Sequence, residues 1–306
     1  MSLFICIDIG GTAVKYGVAD SRGTLLKEGS RPSGITETSV EGLLDTLRSV
    51  IRECRGEYPQ VKGVAMDTAG IVDPERGVIL SEARNFPGYT GTDLVKLVSE
   101  ECGLPCTVEN DVNCAALGEY WLGGGKGASP LVCLTVGTGI GGAILWHGRL
   151  LHGATCSAGE VGYMRIPGTG EDWEAAASVT WLCGRVRELN LLPPEKVDGR
   201  AIMGLAEGGN REVQKLLELF VRRLALGIVN LCAVLNPETV LLGGGIMARE
   251  DYFGPLLRKE LEKELPSFLK DTRIAFARLG NRAGMLGALR NFLDRHPELD
   301  EGSGSN

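Results

Sequence analysis

Two glycine–threonine turns and one Asn–Asp pair hold the residues of this chain best suited to chemistry. The first turn is Asp8-Ile9-Gly10-Gly11-Thr12. It follows the apolar run Phe4 to Ile9 and precedes a second strand-like run, Ala13 to Val18. Glycine tolerates the positive φ of tight hairpins, so the two runs read as strands joined through Gly10-Gly11. The N–H groups of such a turn, with the Thr12 hydroxyl, line a concave anion site. Asp8 at its mouth would repel a bare phosphate but hold a magnesium-bound one, directly or through water. A surface hairpin whose aspartate bonds its own turn accounts for the same residues without a ligand.

The turn has a second copy. Leu131 to Val136 is an apolar strand, Gly137-Thr138-Gly139-Ile140-Gly141-Gly142 the turn, and Ala143 to Trp146 the return strand. A third cluster, Gly243-Gly244-Gly245, follows the strand-like Thr239 to Leu242. A Gly-Thr hairpin in each half, with a late strand and glycine run, resembles the duplicated nucleotide-closing pattern of the actin, Hsp70 and sugar-kinase superfamily. No Walker loop occurs, and the pattern is not the single Gly-x-Gly-x-x-Gly of a dinucleotide fold.

Asn110-Asp111 ends the strand Thr107 to Glu109. Phosphoryl transfer to a hydroxyl needs a group that orients the hydroxyl and accepts its proton, which a carboxylate at a strand end can do. The competing reading is that Asp111 caps the following helix, because Asn and Asp are preferred caps.

The elements that must position these residues alternate between strand and helix. Gly23 to Glu28 reads as a strand, and Ser39 caps a helix with an apolar stripe from Val40 to Ile51. The strand Val61 to Met66 leads to Asp67-Thr68-Ala69-Gly70. A helix over Thr92 to Glu101 follows, and after the Asn–Asp pair another over Asn113 to Leu122. The second half has an irregular stretch from Leu150 to Glu171. Helices are expected from Glu174 to about Arg187 and from Arg211 to Leu235, the second stopped by Pro237. The strand Thr272 to Ala277 and a helix from Ala283 to Leu293 close it. Alternation of this kind implies parallel connections, with ligands outside the carboxyl ends of strands. Asp67, Gly70, Asn110 and Asp111 all fall there.

The chain has 306 residues, more than the usual single domain, and 43% are hydrophobic. Two domains are therefore expected: 1–115, completed by a C-terminal helix at 286–300, and 116–285. The net charge of −7 argues against nucleic acid as the main partner. Nine scattered cysteines read as reduced, buried apolar residues of a cytoplasmic protein. No signal peptide opens the chain, no apolar run reaches the ~20 residues of a membrane span, and the tail 301–306 is expected to be irregular. His147 and His152 lack a matching ligand set and read as structural or surface residues.

Seven ordered motifs resemble the ROK family of bacterial sugar kinases and repressors: Asp8-Ile-Gly-Gly-Thr-Ala-Val-Lys15, Ala69-Gly70-Ile-Val-Asp73, Asn85-Phe-Pro-Gly88, Glu109-Asn-Asp-Val-Asn113, Gly137-Thr-Gly-Ile-Gly-Gly142, Ala158-Gly-Glu160 and Gly243-Gly-Gly-Ile246. The resemblance spans residue 4 to about 290. It implies two actin-like (RNase H-like) α/β domains with a nucleotide and sugar cleft between them, and a homodimer. It implies an ATP- and magnesium-dependent kinase that phosphorylates the 6-hydroxyl of a hexose or β-glucoside. Asp111 would then be the base, with Gly70, Asn85, Asn110, Glu160, Tyr163 and Glu174 lining the sugar site. Asp8, Gly10, Gly11, Thr12, Lys15, Thr138, Gly139, Gly244 and Gly245 would surround ATP, Asp8 reaching magnesium through water or the nucleotide.

Zinc-containing members of the family carry a histidine where this chain has Tyr163, and cysteines where it has Pro167 to Asp172, so no zinc site is expected. The same departures resemble the β-glucoside kinase branch, while other zinc-less members act on N-acetylmannosamine. A sugar-responsive repressor of the family would carry a helix-turn-helix ahead of the first motif, which here begins at Asp8. A non-enzymatic, actin-like ATPase gives no reason for Asn110, Asp111 and Glu160.

Overall fold

The structure, a computed structural model, describes residues 1–300; the irregular tail expected at 301–306 lies outside the described residues. The opening apolar run forms β1 (Leu3–Ile9), buried on both faces except at Asp8. Such a strand belongs in the middle of a sheet. The Gly10–Thr12 turn returns the chain as β2 (Ala13–Asp20), antiparallel to β1, with Lys15 opposite Asp8. β3 (Leu25–Pro32) completes the meander at the sheet edge, where its residues alternate between half-buried and exposed. α1 (Glu41–Glu57) lays Leu43, Leu47, Val50 and Ile51 on the core. The helix begins one residue later than a Ser39 cap requires: its N-cap position is Val40, with no side-chain cap, and Ser39 Oγ accepts from the Glu41 N–H at 3.1 Å from just ahead of it.

β4 (Val61–Thr68) runs parallel to β1. It is followed by a short hairpin, β5 (Ile71–Asp73) and β6 (Val78–Ser81), that periodicity does not reveal because each arm is too brief. α2 (Leu94–Cys102) is capped by Asp93, which accepts from the Lys96 N–H at 2.8 Å. β7 (Cys106–Asn110) pairs parallel with β4, and α3 (Asp111–Leu122) follows it without a break. The strand order is β3-β2-β1-β4-β7.

The same order recurs. β8 (Leu131–Val136), β9 (Ile140–Trp146) and β10 (Arg149–Leu150) form the meander. Four helices come next: α4 (Trp173–Ala177), α5 (Val179–Glu188), α6 (Gly199–Glu207) and α7 (Arg211–Leu235). β11 (Thr239–Gly243), α8 (Glu250–Glu264), β12 (Arg273–Phe276) and α9 (Ala283–Arg295) complete the chain. The second sheet reads β10-β9-β8-β11-β12, the order of the first. This is the doubled, actin-like α/β architecture expected from the repeated turns.

Two expectations about helices need correction. The single helix from Glu174 to Arg187 is two, because Ser178 is extended and its side chain caps α5 by accepting from the Trp181 N–H at 3.2 Å. α6 and α8 are additional helices. α6 is short and begins on glycine, and α8 contains Pro255, residue types that read as breakers.

By its contacts the chain forms two compact units. One holds residues 1–122, the short segment His152–Ser157 and the chain from Asn281; the other holds Gly123–Leu151 and Ala158–Gly280. The boundary expected near 115 falls inside α3. The first unit has a core from β1, β2, β4, α1 and α2, and a second cluster where Phe4, Cys114, Leu289 and Phe292 meet. There α3 and α9 approach so closely that a Cβ on Gly287 would lie 1.6 Å from the Cys114 carbonyl oxygen. The core of the second unit is built on α7, whose Val213, Leu217, Phe220, Leu224, Ile228 and Leu231 are buried.

Candidate active site

In the first unit the parallel strands β1, β4 and β7 end together, and most of the polar residues singled out from the sequence collect there. Asp8, Asp67 and Glu109 occupy matching positions across the three strands. Asp8 Oδ2 bonds Lys15 Nζ at 2.9 Å, as their opposed register allows. Asp67 is fully buried and neither of its oxygens has a hydrogen-bond partner. Burial first, then the charges of Asp8 and Asp111, push its carboxyl well above the usual carboxylate range. Gly284 of α9 leaves it room, since a Cβ there would come within 3.0 Å of Asp67 Oδ2.

The Gly10–Thr12 turn differs in one respect from expectation. Neither Gly10 nor Gly11 has a positive φ. Gly10 is required by contact instead: its N–H bonds the Ala13 carbonyl at 3.0 Å, and a Cβ would sit 2.9 Å from that oxygen. Ser33, the residue after β3, braces the turn by donating from Oγ to the Gly11 carbonyl at 2.7 Å.

Gly70 does need glycine's freedom. Its φ is 103°, and a Cβ would lie 2.6 Å from the Ser81 carbonyl oxygen. The Gly70 carbonyl accepts from Asn110 Nδ2 at 2.9 Å. Asn110 Oδ1 accepts from the N–H groups of Val112 (2.9 Å) and Asn113 (3.1 Å), so Asn110 caps α3. Asp111 Oδ1 also accepts from Val112 N–H, at 2.9 Å. The cap of α3 is thus Asn110 rather than Asp111, which stands in the first turn of the helix.

Asn85 lies on the loop after β6, with its Cβ 3.5 Å from where a Gly11 Cβ would be. That loop is ordered by Glu82, whose carboxylate accepts from the N–H groups of Tyr89 (2.8 Å) and Thr90 (3.1 Å). The buried rings of Phe86 and Tyr89 stack beneath it.

In the second unit the Gly137–Gly142 turn is held from α4 and α5. Thr180 Oγ1 donates to the Thr138 carbonyl at 2.7 Å, and the Val179 N–H to that of Gly137 at 2.8 Å. Glu174 Oε2 accepts from the Ile140 N–H at 3.1 Å. A Cβ on Gly139 would lie 2.1 Å from that same oxygen, so the Glu174 carboxylate is what crowds Gly139. Desolvation and, second, the charge of Glu174 raise the Glu160 carboxyl above its ordinary value. Tyr163 is 77% exposed.

Gly244, with φ 102°, allows β11 to leave the sheet against β8; a Cβ would meet the Val136 carbonyl oxygen at 2.1 Å. Gly245 and Thr138 consequently share a cavity of about 630 Å³ in this unit, closed by Met203, Glu207 and Arg249. The α6 residues of that wall are not marked by any motif.

Two histidines part company. His147 occupies the β9–β10 turn with φ 52°. His152 instead meets Glu109, with Nε2 2.7 Å from Oε2. Among the described residues no group of three or more His, Cys, Asp or Glu side chains is arranged to hold a metal. Magnesium is typically held by one or two carboxylates that share the ion with phosphates and water, and Asp8 offers one such carboxylate at this strand end.

Residues 4–295 match the ROK family. An uncharacterised protein of Clostridium perfringens is 45% identical, over 95% of this chain and 98% of its own. A β-glucoside kinase of Listeria monocytogenes is 33% identical, over 94% and 96% respectively. A solved ROK family glucokinase from Streptomyces griseus, in complex with glucose and AMPPNP, superposes with a TM-score of 0.77 at 28% identity, covering 94% of this chain and 98% of that one.

Proposed function

The chain belongs to the ROK family, and from that premise we propose that it is an ATP-dependent kinase acting on the 6-hydroxyl of a hexose or β-glucoside. The observation that carries the reading is the joint ending of β1, β4 and β7, where a hairpin turn with an Asp8–Lys15 pair stands beside Gly70, Asn110 and Asp111. Open α/β sheets bind ligands at such strand ends.

In this reading the sugar hydroxyl oxygen attacks the γ-phosphorus as the bond to the bridging oxygen breaks, and ADP leaves. Asp111 accepts the hydroxyl proton. Asn110, whose amide is fixed by Gly70 and the first turn of α3, offers its remaining hydrogen-bonding capacity to a neighbouring sugar hydroxyl. Asn85, Glu160, Glu174 and Tyr163 are assigned to the other hydroxyls. The N–H groups of Gly11 and Thr12, with Lys15, offset phosphate charge, while Gly10, whose own N–H is taken by the Ala13 carbonyl, shapes the turn. Thr138, Gly139, Gly244 and Gly245 are assigned to the nucleotide, which the cavity beside Gly245 has room to accept at its nucleoside end. Bound magnesium supplies further charge neutralisation at the phosphates, with Asp8 its candidate holder.

A coupled assay of ADP release with ATP, magnesium and glucose, a β-linked glucose disaccharide and N-acetylmannosamine tests the proposal. Sugar-dependent ADP release with the phosphate on the 6-oxygen is expected. Sugar binding without turnover would favour a regulator, and neither binding nor turnover with any sugar would end the reading.

A further inference from the structure

Glu109 is a buried carboxylate with no direct part in the reaction proposed above. It lies one residue before Asn110 in β7 and is 1% exposed. Its Oε1 accepts from the Asn110 backbone N–H at 2.8 Å and from Asn113 Nδ2 at 2.9 Å. Its Oε2 faces Nε2 of His152 at 2.7 Å. Both oxygens are thus occupied, one by the strand end and the first turn of α3, the other by an imidazole more than forty positions away. His152 begins the short segment 152–157, which leaves β10 yet makes its contacts within the first unit. Only 25% of its side chain is exposed.

The chain of contacts runs from His152 to Glu109, from Glu109 to the Asn110 amide and the Asn113 side chain, and from Asn110 to Gly70 and the α3 N–H groups. We infer that His152 and Glu109 form a positioning pair that aims Asn110 and Asp111: the imidazole N–H fixes the Glu109 carboxylate, and that carboxylate fixes the junction of β7 and α3. The inference rests on the kinase reading above.

Three charged groups face His152: Glu109 from β7, Arg295 from α9 and Glu75 from the β5–β6 turn. Arg295 bonds Glu75 at 3.0 Å and the Pro74 carbonyl at 2.9 Å, so those two charges largely offset each other. The hydrogen bond to Glu109 outweighs partial burial and holds the ring's pKa above its ordinary value. The charged pair is therefore complete below the ordinary histidine value of about 6.5 and weakens as pH rises through the raised one.

The test compares His152→Leu, which removes the donor, with His152→Gln, which can return an N–H without the charge. His152→Leu is expected to lower kcat by about 10- to 10²-fold, the scale of a small misplacement of reacting groups, with KM for ATP unchanged. His152→Gln should recover most of the rate but lose the alkaline limb of the wild-type pH profile. NMR titration of the three histidine rings should place His152 above the ordinary value, with Glu109→Gln bringing it down. The ring titration needs no substituted His152 and so decides the pairing even if His152→Leu does not fold.

An active wild type whose rate is indifferent to His152→Leu would overturn the inference alone. So would a loss explained by a lower Tm and not rescued by Gln, or a ring that titrates at the ordinary value. A wild type inactive on every sugar would remove the kinase reading, and this inference with it.

Discussion

Asn110 and Asp111 are neighbours, yet their losses should look different. Asp111→Asn keeps an oxygen for the Val112 N–H but cannot take a proton. Turnover should fall by about 10²–10⁴, the scale of a positioned proton acceptor, while sugar affinity, measured by calorimetry, survives. A variant with more than about a tenth of wild-type turnover, well above that scale, would move the search for the base to Glu160. Asn110→Ala removes the cap of α3 and the bond to Gly70. It should weaken sugar binding and also cost about 0.5–2 kcal/mol in urea unfolding, the range for lost caps; an unchanged midpoint would deny the cap any weight. Asp67 makes a prediction about pH. In the folded chain burial, then the charges of Asp8 and Asp111, raise this carboxyl, whereas the unfolded chain ionises it above about pH 4. A folded-state pKa raised in this way gives stability that is full below the unfolded value and lost as pH rises through the folded one. Asp67→Asn is always neutral and escapes the loss. Its Tm advantage over wild type should grow as pH rises above the unfolded value of about 4, and a constant difference would mean that the folded chain does not raise the Asp67 carboxyl.

At the scale of elements, glycines mark where backbones or side chains are forced together. Gly139 illustrates what sequence can and cannot tell. Its place in a Gly-Thr-Gly turn points to close approach by phosphate, but the group actually found against it is the Glu174 carboxylate, thirty-five positions away. Gly139→Val should therefore raise KM for sugar as well as for ATP. A rise for ATP alone would mean that Glu174 swings aside without consequence. The crossing of α3 and α9 is tighter still. Gly287→Ala would press a methyl onto the Cys114 carbonyl, and overpacking of that kind costs about 1–3 kcal/mol. Gly184→Ala in α5, with nothing within 4 Å of the added carbon, should instead stabilise by about 0.5–1 kcal/mol through better helix propensity. Thermal unfolding of the two variants should shift in opposite directions. The long periodic elements, such as α7 and the buried strands β1 and β8, are legible in sequence because burial imposes their spacing. The break at Ser178 and the helix through Pro255 are not. There a local signal misleads, since serine serves interior or cap and Pro255 lies inside its helix, where proline ordinarily reads as a breaker, and tertiary packing decides.

At the scale of the whole molecule the duplication is readable because each unit repeats the same strand, glycine turn and strand, and the two sheets share one order. The assignment of His152–Ser157 to the first unit is not readable. An irregular segment has no periodicity to say what it touches, which is why His152 reads as an isolated residue and the Glu109 contact emerges only in three dimensions. The same distinction governs zinc. A tetrahedral structural site needs four ligands held together, and here the histidine position is Tyr163, which points to solvent at 77% exposure. α4 has other anchors. Trp173 is fully buried, its Nε1 donates to the Arg223 carbonyl at 3.1 Å, and its indole fills the space left by Gly227 of α7. Asp172 caps the helix through the Ala175 N–H at 2.8 Å, and Glu174 is tied to Ile140. A helix fixed at its cap, its buried ring and its carboxylate does not require a metal to present that carboxylate. Elemental analysis of the purified protein should find no stoichiometric zinc. Dialysis against a chelator should leave Tm unchanged, and magnesium alone should restore any activity lost. Zinc at about one per chain, with a Tm that drops on its removal and returns with zinc but not magnesium, would show that packing does not replace the metal.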